Sequence, residues 1–173
     1  MNLLDHITIV TLESIDIDLF DKIKTTTDWD NSIKSRKTFS YGVPYNYSDI
    51  KYTSKEFPNH IKLISEKISP LINFTPNNCL INYYYNENAK MGYHSDQIDI
   101  LEKETGIAIV SLGSSRIIRF KNKINNEILD IIIYPNSLFY MTQEIQKLWL
   151  HSILKSSETH DYERISLTFR KIK

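Results

Sequence analysis

Apolar positions change their period once along this chain. In the first half they recur at helical spacing. Ile15, Leu19, Phe20 and Ile23 share one helical face. Ser14 is a candidate N-cap ahead of them, with Asp16 and Asp18 suited to the first turn, and the pattern breaks over residues 25–30. A second helix is expected from about Pro58 to Ser69, with Ile61, Ile64 and Ile68 as its stripe, Leu63 beside it and Pro70 as its stop. Between the two, residues 36–52 are rich in aromatic and turn residues. Gly42, Pro44, Asn46, Ser48 and Asp49 argue there for an irregular, ligand-facing loop or hairpin.

From Cys79 onward the character is that of strands. Residues 79–85, 107–112, 116–120, 127–134, 138–142, 147–153 and 163–172 read as short strands, with turn signals at Gly113-Ser114-Ser115, Asn125-Asn126 and Pro135-Asn136. Helices first and strands afterwards predict a mainly β fold, with flanking helices packed against an antiparallel core. One domain is expected over residues 1–173, with helices and a recognition segment in 1–78 and the β core in 79–173.

Composition adds limits rather than structure. Apolar residues make up 41% and charged residues 24%, as in ordinary globular proteins, and the formal net charge is zero. A nucleic-acid partner usually leaves a basic imprint, and bulk charge shows none. The lone cysteine, Cys79, excludes an intramolecular disulfide and suits a reducing compartment. No window is apolar enough for a membrane span, and the N-terminal stretch carries acid and histidine where a signal peptide carries bases. The expectation is a soluble, intracellular monomer.

The candidate chemistry starts at residues 82–96, NYYYNENAKMGYHSD. His94 and Asp96 are two apart, so on a strand both face one way. His151, in KLWLHSIL, is the candidate third ligand. Two histidines and one carboxylate cap one face of an octahedral metal, suit Fe(II), and leave the opposite positions open. A closed zinc site normally wants more cysteines than one. Taken singly, His-x-Asp is common, and a histidine among Leu and Trp is also what a satisfied core contains. The last strand adds weight: in RISLTFR, Arg164 and Arg170 share a face with Ser166 and Thr168, opposite Ile165, Leu167 and Phe169. Two arginines on a buried face call for an anion such as a dicarboxylate. On an exposed edge they call only for Glu partners.

The order Asn82-x-Tyr84, His94-x-Asp96, His151, Arg164-x5-Arg170 resembles the AlkB family of Fe(II)/2-oxoglutarate dioxygenases, and RISLTFRKI is most similar to the animal DNA-repair branch. The resemblance spans roughly residues 79–173, with a weaker part over 35–52. It implies a double-stranded β-helix (jelly-roll) core and iron held by His94, Asp96 and His151. It places Arg164, with Tyr84, on the distal carboxylate of 2-oxoglutarate, Arg170 and Asn82 on its chelating end, and Thr168 in the same pocket. The implied activity is O2-dependent demethylation of alkylated DNA or RNA, releasing formaldehyde, succinate and CO2. Tyr45 and Tyr47 match the base-recognition aromatics, and Arg36, Lys37, Lys121 and Lys123 are candidate phosphate contacts. Two departures stand out. Where several relatives carry an acid two residues after the metal-binding Asp, this chain has Ile98, followed by Asp99, so either Asp99 contacts the base from a shifted loop or base preference differs. It also lacks an obvious apolar wedge for a duplex, with Trp29 the sole candidate finger. With zero net charge, single-stranded substrates are expected. The rival readings are an oxygenase acting on protein or small molecules, and a non-catalytic binding module.

Overall fold

The computed structural model describes residues 2–45, 52–158 and 160–173. Among these residues, ten strands form two antiparallel sheets. The larger has the order β1 (Ile7–Thr11), β8 (Ser137–Thr142), β5 (Gly106–Gly113), β10 (Arg164–Arg170), β3 (Asn78–Tyr84), β2 (Lys37–Gly42). The smaller has the order β4 (Met91–His94), β9 (Trp149–Ile153), β6 (Arg116–Asn122), β7 (Ile128–Ile133). Helices α1 (Leu19–Thr26), α2 (Asn59–Ile72) and the short α3 (Ile145–Leu148) complete the elements used below.

Period-two alternation sorts the side chains into two cores. On one face of the large sheet, Cys79, Ile81, Val110, Ile165, Leu167 and Phe169 meet Leu19 and Ile23 of α1 and Ile61, Ile64 and Ile68 of α2. On the other face, Leu80, Ile107, Ile109 and Phe139 meet Ile118, Phe120, Trp149 and Ile153 of the small sheet. The first core is the expected packing of amphipathic helices on a sheet. The second is a sandwich interior, and the site lies at its open side.

Several boundaries differ from expectation. Helix α1 starts after Asp18, and Ser14 does not cap it but sits in the left-handed region at φ 55°. Helix α2 runs through Pro70 to a left-handed Asn73. In the last turn a proline forfeits only one backbone bond, to the residue 66 carbonyl, and the buried Ile72 draws the turn onto the sheet. The expected strand 147–153 begins as α3 and extends only from Trp149. Strand β1 is an edge strand with little alternation in burial, which hid it in the sequence. β2 lies in the segment read as loop or hairpin, and together these two edge strands tie residues from the first third into the large sheet. Trp29 is no finger: its ring packs 5.2 Å from that of Tyr83 and its Nε1–H donates to the Lys24 carbonyl at 3.0 Å.

The Gly113 turn carries the chain from the large sheet to the small one rather than closing a hairpin. Gly113 has φ +85°, and a Cβ there would sit 2.3 Å from the Glu163 carbonyl oxygen, beside Arg164. Gly113→Ala is therefore expected to cost at least about 1 kcal/mol. A urea midpoint unchanged from the parent would contradict this.

Candidate metal centre and its cavity

Strand β10 lies between β3 and β5. Its register sets Arg164 opposite Tyr84 and Gly113, and Ser166 opposite Asn82 and Ser111. The polar row of β10 and the Asn82 and Tyr84 side chains therefore face the sandwich interior together. Across from them, His94 at the end of β4 pairs directly with His151 of β9, their rings 4.2 Å apart. Asp96 lies not on β4, as expected, but in the loop just after it. Ligand atoms of His94, Asp96 and His151 nevertheless lie within 4.8 Å of one another, forming a facial triad of the kind Fe(II)-binding oxygenases use. A cavity of about 250 Å³ joins the triad to Asn82, Tyr84, Arg164, Thr168 and Arg170.

Each ligand is oriented by a neighbour. His94 Nδ1 lies 2.9 Å from the Gly92 carbonyl oxygen, an acceptor only, so Nδ1 carries the proton and Nε2 keeps the lone pair. Asp96 Oδ1 accepts from Arg170 Nη2 and, at 3.3 Å, from the Tyr45 hydroxyl. Its Oδ2 is 3.5 Å from His151 Nε2. Burial opposes the charge on Asp96, but the field of Arg170, aided by the two histidines, overcomes it and holds the carboxyl far below the usual range. Burial, then His94, pushes His151 down to about 3 against the pull of Asp96. The imidazole is thus neutral and free to donate a lone pair across the physiological range.

In the metal-free protein that depression has a consequence for stability. Below pH 6.5 the unfolded chain protonates His151, whereas the folded chain does so only near pH 3. The unfolded state binds the extra proton, so stability falls as pH drops through this window, by about 1.4 kcal/mol per pH unit. Urea melts of the metal-free protein at stepped pH should show this slope, and His151→Leu should flatten it. Equal slopes would contradict the assignment.

The arginines are short of partners. Arg164 is fully buried, with Nη2 donating to Ser111 Oγ at 2.8 Å and its Cζ 5.2 Å from the Tyr84 ring centroid. Its Nε and Nη1, and the Nε and Nη1 of Arg170, are buried without hydrogen-bond partners among the described residues. Orphaned buried donors of this kind are rare and costly. Four of them on two guanidinium forks fit a dianionic carboxylate ligand beside a metal held by the triad.

Of the expected substrate-side residues, Tyr45 lines the cavity, whereas Arg36 and Asp99 do not. Tyr45 is buried, one ring face 4.0 Å from Arg170 Cζ, so it supports Arg170 and Asp96 as well as lining the cavity. Tyr47 lies outside the described residues. Arg36 does not reach out toward phosphates: it is buried, and its Nε donates to Asn82 Oδ1 at 2.8 Å. Asp99 is exposed and outside the cavity lining. Lys123 donates to the Gln146 carbonyl at 2.7 Å rather than standing free.

Gln146 and Ser111 emerged from the structure alone, while Gln97 belongs to the stretch after Asp96 where the sequence departs from the family pattern. The Gln146 side chain is buried, and its Oε1 accepts from the Asp96 backbone N–H at 2.8 Å, tying the Asp96 loop to the element that leads into His151. Ser111 holds Arg164. Gln97 lines the cavity at its exposed rim, its N–H donating to the Tyr45 hydroxyl at 3.2 Å. Alternation marks Ser111 as sharing a face with Ile109. Nothing in the sequence marks Gln146.

A family model described as the 2OG-Fe(II) oxygenase superfamily matches residues 21–170. An uncharacterized protein of Acanthamoeba polyphaga mimivirus is 28% identical over 174 residues, covering 92% of this chain and 91% of that protein. The DNA oxidative demethylase ALKBH2 of Mus musculus is 25% identical over 160 residues, 87% of this chain but 66% of that protein. Alpha-ketoglutarate-dependent dioxygenase alkB homolog 3 of Homo sapiens is 30% identical over 151 residues, 79% of this chain but 51% of that protein. The solved structure of OsALKBH1 superposes with a TM-score of 0.70 over 96% of this chain and 98% of that one. At 14% identity, that likeness is one of fold. With the triad, the paired buried arginines and the family match over residues 21–170 in agreement, the chain is an AlkB-like member of the 2OG-Fe(II) oxygenase superfamily.

Proposed function

We propose that this protein oxidatively demethylates N-alkylated bases in DNA or RNA, single strands favoured, using Fe(II), O2 and 2-oxoglutarate. The observation that carries the proposal is that Arg164 and Arg170, each with two buried guanidinium nitrogens lacking partners among the described residues, line one cavity with the His94–Asp96–His151 triad. The eight strands β3 to β10 are read as a double-stranded β-helix, with β1 and β2 extending one sheet.

Arg164, braced by Ser111 and Tyr84, binds the distal carboxylate of 2-oxoglutarate. Arg170 and Asn82 orient the keto-acid end, Thr168 lines the wall, and His94, Asp96 and His151 hold the metal. Bound iron supplies O2 activation coupled to decarboxylation of the co-substrate. One oxygen atom enters succinate as CO2 leaves. The other enters the substrate methyl C–H bond, giving an N-hydroxymethyl group that splits into formaldehyde and the N–H base. The apolar walls, Ile109, Ile118 and Ile153 among them, keep bulk water from the reacting methyl.

A base reaches this cavity only when unpaired or flipped out, which single-stranded substrate allows without an unstacking cost. The relatives named as DNA oxidative demethylases support a nucleic-acid substrate. Burial holds the Cys79 thiol protonated and unreactive.

The test is anaerobic titration with Fe(II) and 2-oxoglutarate, followed by mass spectrometry of succinate and formaldehyde with methylated and unmethylated oligonucleotides in air. Formaldehyde with methylated strands alone is expected. Succinate without formaldehyde from any oligonucleotide supports an oxygenase of protein or small molecules. No succinate under any condition supports a binding module.

A further inference from the structure

The charges around the cavity bear on which alkylated bases it accepts, an inference that rests on the demethylase reading above. Asp96 is the sole carboxylate among the described residues that line the cavity, and it is already engaged by Arg170, the Tyr45 hydroxyl and the metal position. Two cations, Arg164 and Arg170, line the same space. A third, Arg116, is buried behind the wall with its Cζ 5.7 Å from the Tyr84 ring centroid. Its partners are the backbone carbonyls of Asn86, Ala89, Leu154 and Tyr162, which neutralise nothing. Burial and the field of Arg164 pull its guanidinium down to about 10, as a positive surrounding should.

A divalent metal and a dianionic co-substrate cancel one another, so the loaded site stays net positive. At the rim stands Gln97, exposed and neutral, the residue after the ligand Asp96. The following residues bring no anion inward. Ile98 packs into the core between the sheets, and Asp99 is exposed outside the lining. A cationic base entering here meets like charge and finds no free carboxylate, and a buried charge without a partner is disfavoured.

We propose that the cavity selects N-alkylated bases that are neutral at pH 7, such as N6-methyladenine and 3-methylthymine, over the cationic 1-methyladenine and 3-methylcytosine, with Gln97 as the specificity-determining rim residue. A carboxamide both donates and accepts, so it can meet the N1 acceptor and N6–H donor of N6-methyladenine or donate to the carbonyl oxygens of 3-methylthymine. A carboxylate only accepts and suits a cation.

Four single-stranded oligonucleotides, each with one of these bases in the same context, test this by kcat/KM for formaldehyde release. The neutral pair is expected to exceed the cationic pair at least tenfold. Gln97→Glu is expected to move that ratio at least tenfold toward the cationic pair. Residues 46–51, outside the described set, contain Asp49 and Lys51, so Asp49→Asn joins the series and is expected to leave the ratio in place. A wild-type preference for the cationic pair overturns the inference alone, as does a ratio that Gln97→Glu does not move. Succinate formation without turnover of any of the four overturns the demethylase reading, and this inference with it.

Discussion

Replacing Asp96 with alanine is expected to abolish 2-oxoglutarate turnover and to cost the metal-free protein about 3–5 kcal/mol of stability. Both effects come from one carboxylate. It is a member of the triad, so its loss leaves two histidines and weakens metal binding. It is also the salt-bridge partner of Arg170, which is 3% exposed. Truncation strands that guanidinium in the interior, where an unpaired charge is most costly. Asp96→Asn separates the two effects, because an amide oxygen still accepts from Arg170 but supplies a weaker metal ligand. Urea melts and anaerobic iron titrations of both variants are the measurements. Wild-type iron affinity in Asp96→Ala would remove Asp96 from the metal.

The second large effect belongs to Arg164. Arg164→Ala is expected to weaken 2-oxoglutarate binding at least about a hundredfold. Two charge-assisted hydrogen bonds contribute about 1.5–3 kcal/mol each, and every 1.4 kcal/mol is about tenfold in affinity. Ligand binding raises the melting temperature by mass action, so the shift produced by 2-oxoglutarate with Mn(II) should vanish in the variant. Arg164→Lys keeps the charge but loses the planar fork, and should fall between the two. An undiminished shift in Arg164→Ala would show that the distal carboxylate lies elsewhere.

These two predictions differ in how legible their residues were. The alternation in RISLTFR was enough to put Arg164, Ser166, Thr168 and Arg170 on one face and Ile165, Leu167 and Phe169 on the other, and the structure has that division. Side chains on a strand alternate whatever the tertiary context, so such a face can be read from spacing. The helical stripe of Ile61, Ile64 and Ile68 was legible for the same reason. The end of that helix was not, because propensity set its stop before Pro70 while contact with the sheet carried it on to Ile72.

The recognition segment was least legible. Tyr45 and Arg36 resembled groups that face a substrate, yet Tyr45 also buttresses Arg170 and Asp96, and Arg36 is bonded to Asn82 inside the protein. Residue type and spacing carry no information on burial in a segment without period. Gln146 was invisible for a related reason. Its contact with the Asp96 backbone joins positions 50 residues apart, and no local pattern encodes such a pair.

The sequence by itself determined the ligand types, the faces they occupy and the helices-then-strands order, because each depends on local stereochemistry and composition. Only the tertiary structure decided that β4 and β9 pair so as to set His94 beside His151, and that Asp96 turns back to meet them from a loop. It likewise decided that the arginines face the triad with donors to spare and that Gln97, not Asp99, stands at the rim. Those outcomes depend on which strands pair and which sheets stack, through contacts between residues far apart in the chain.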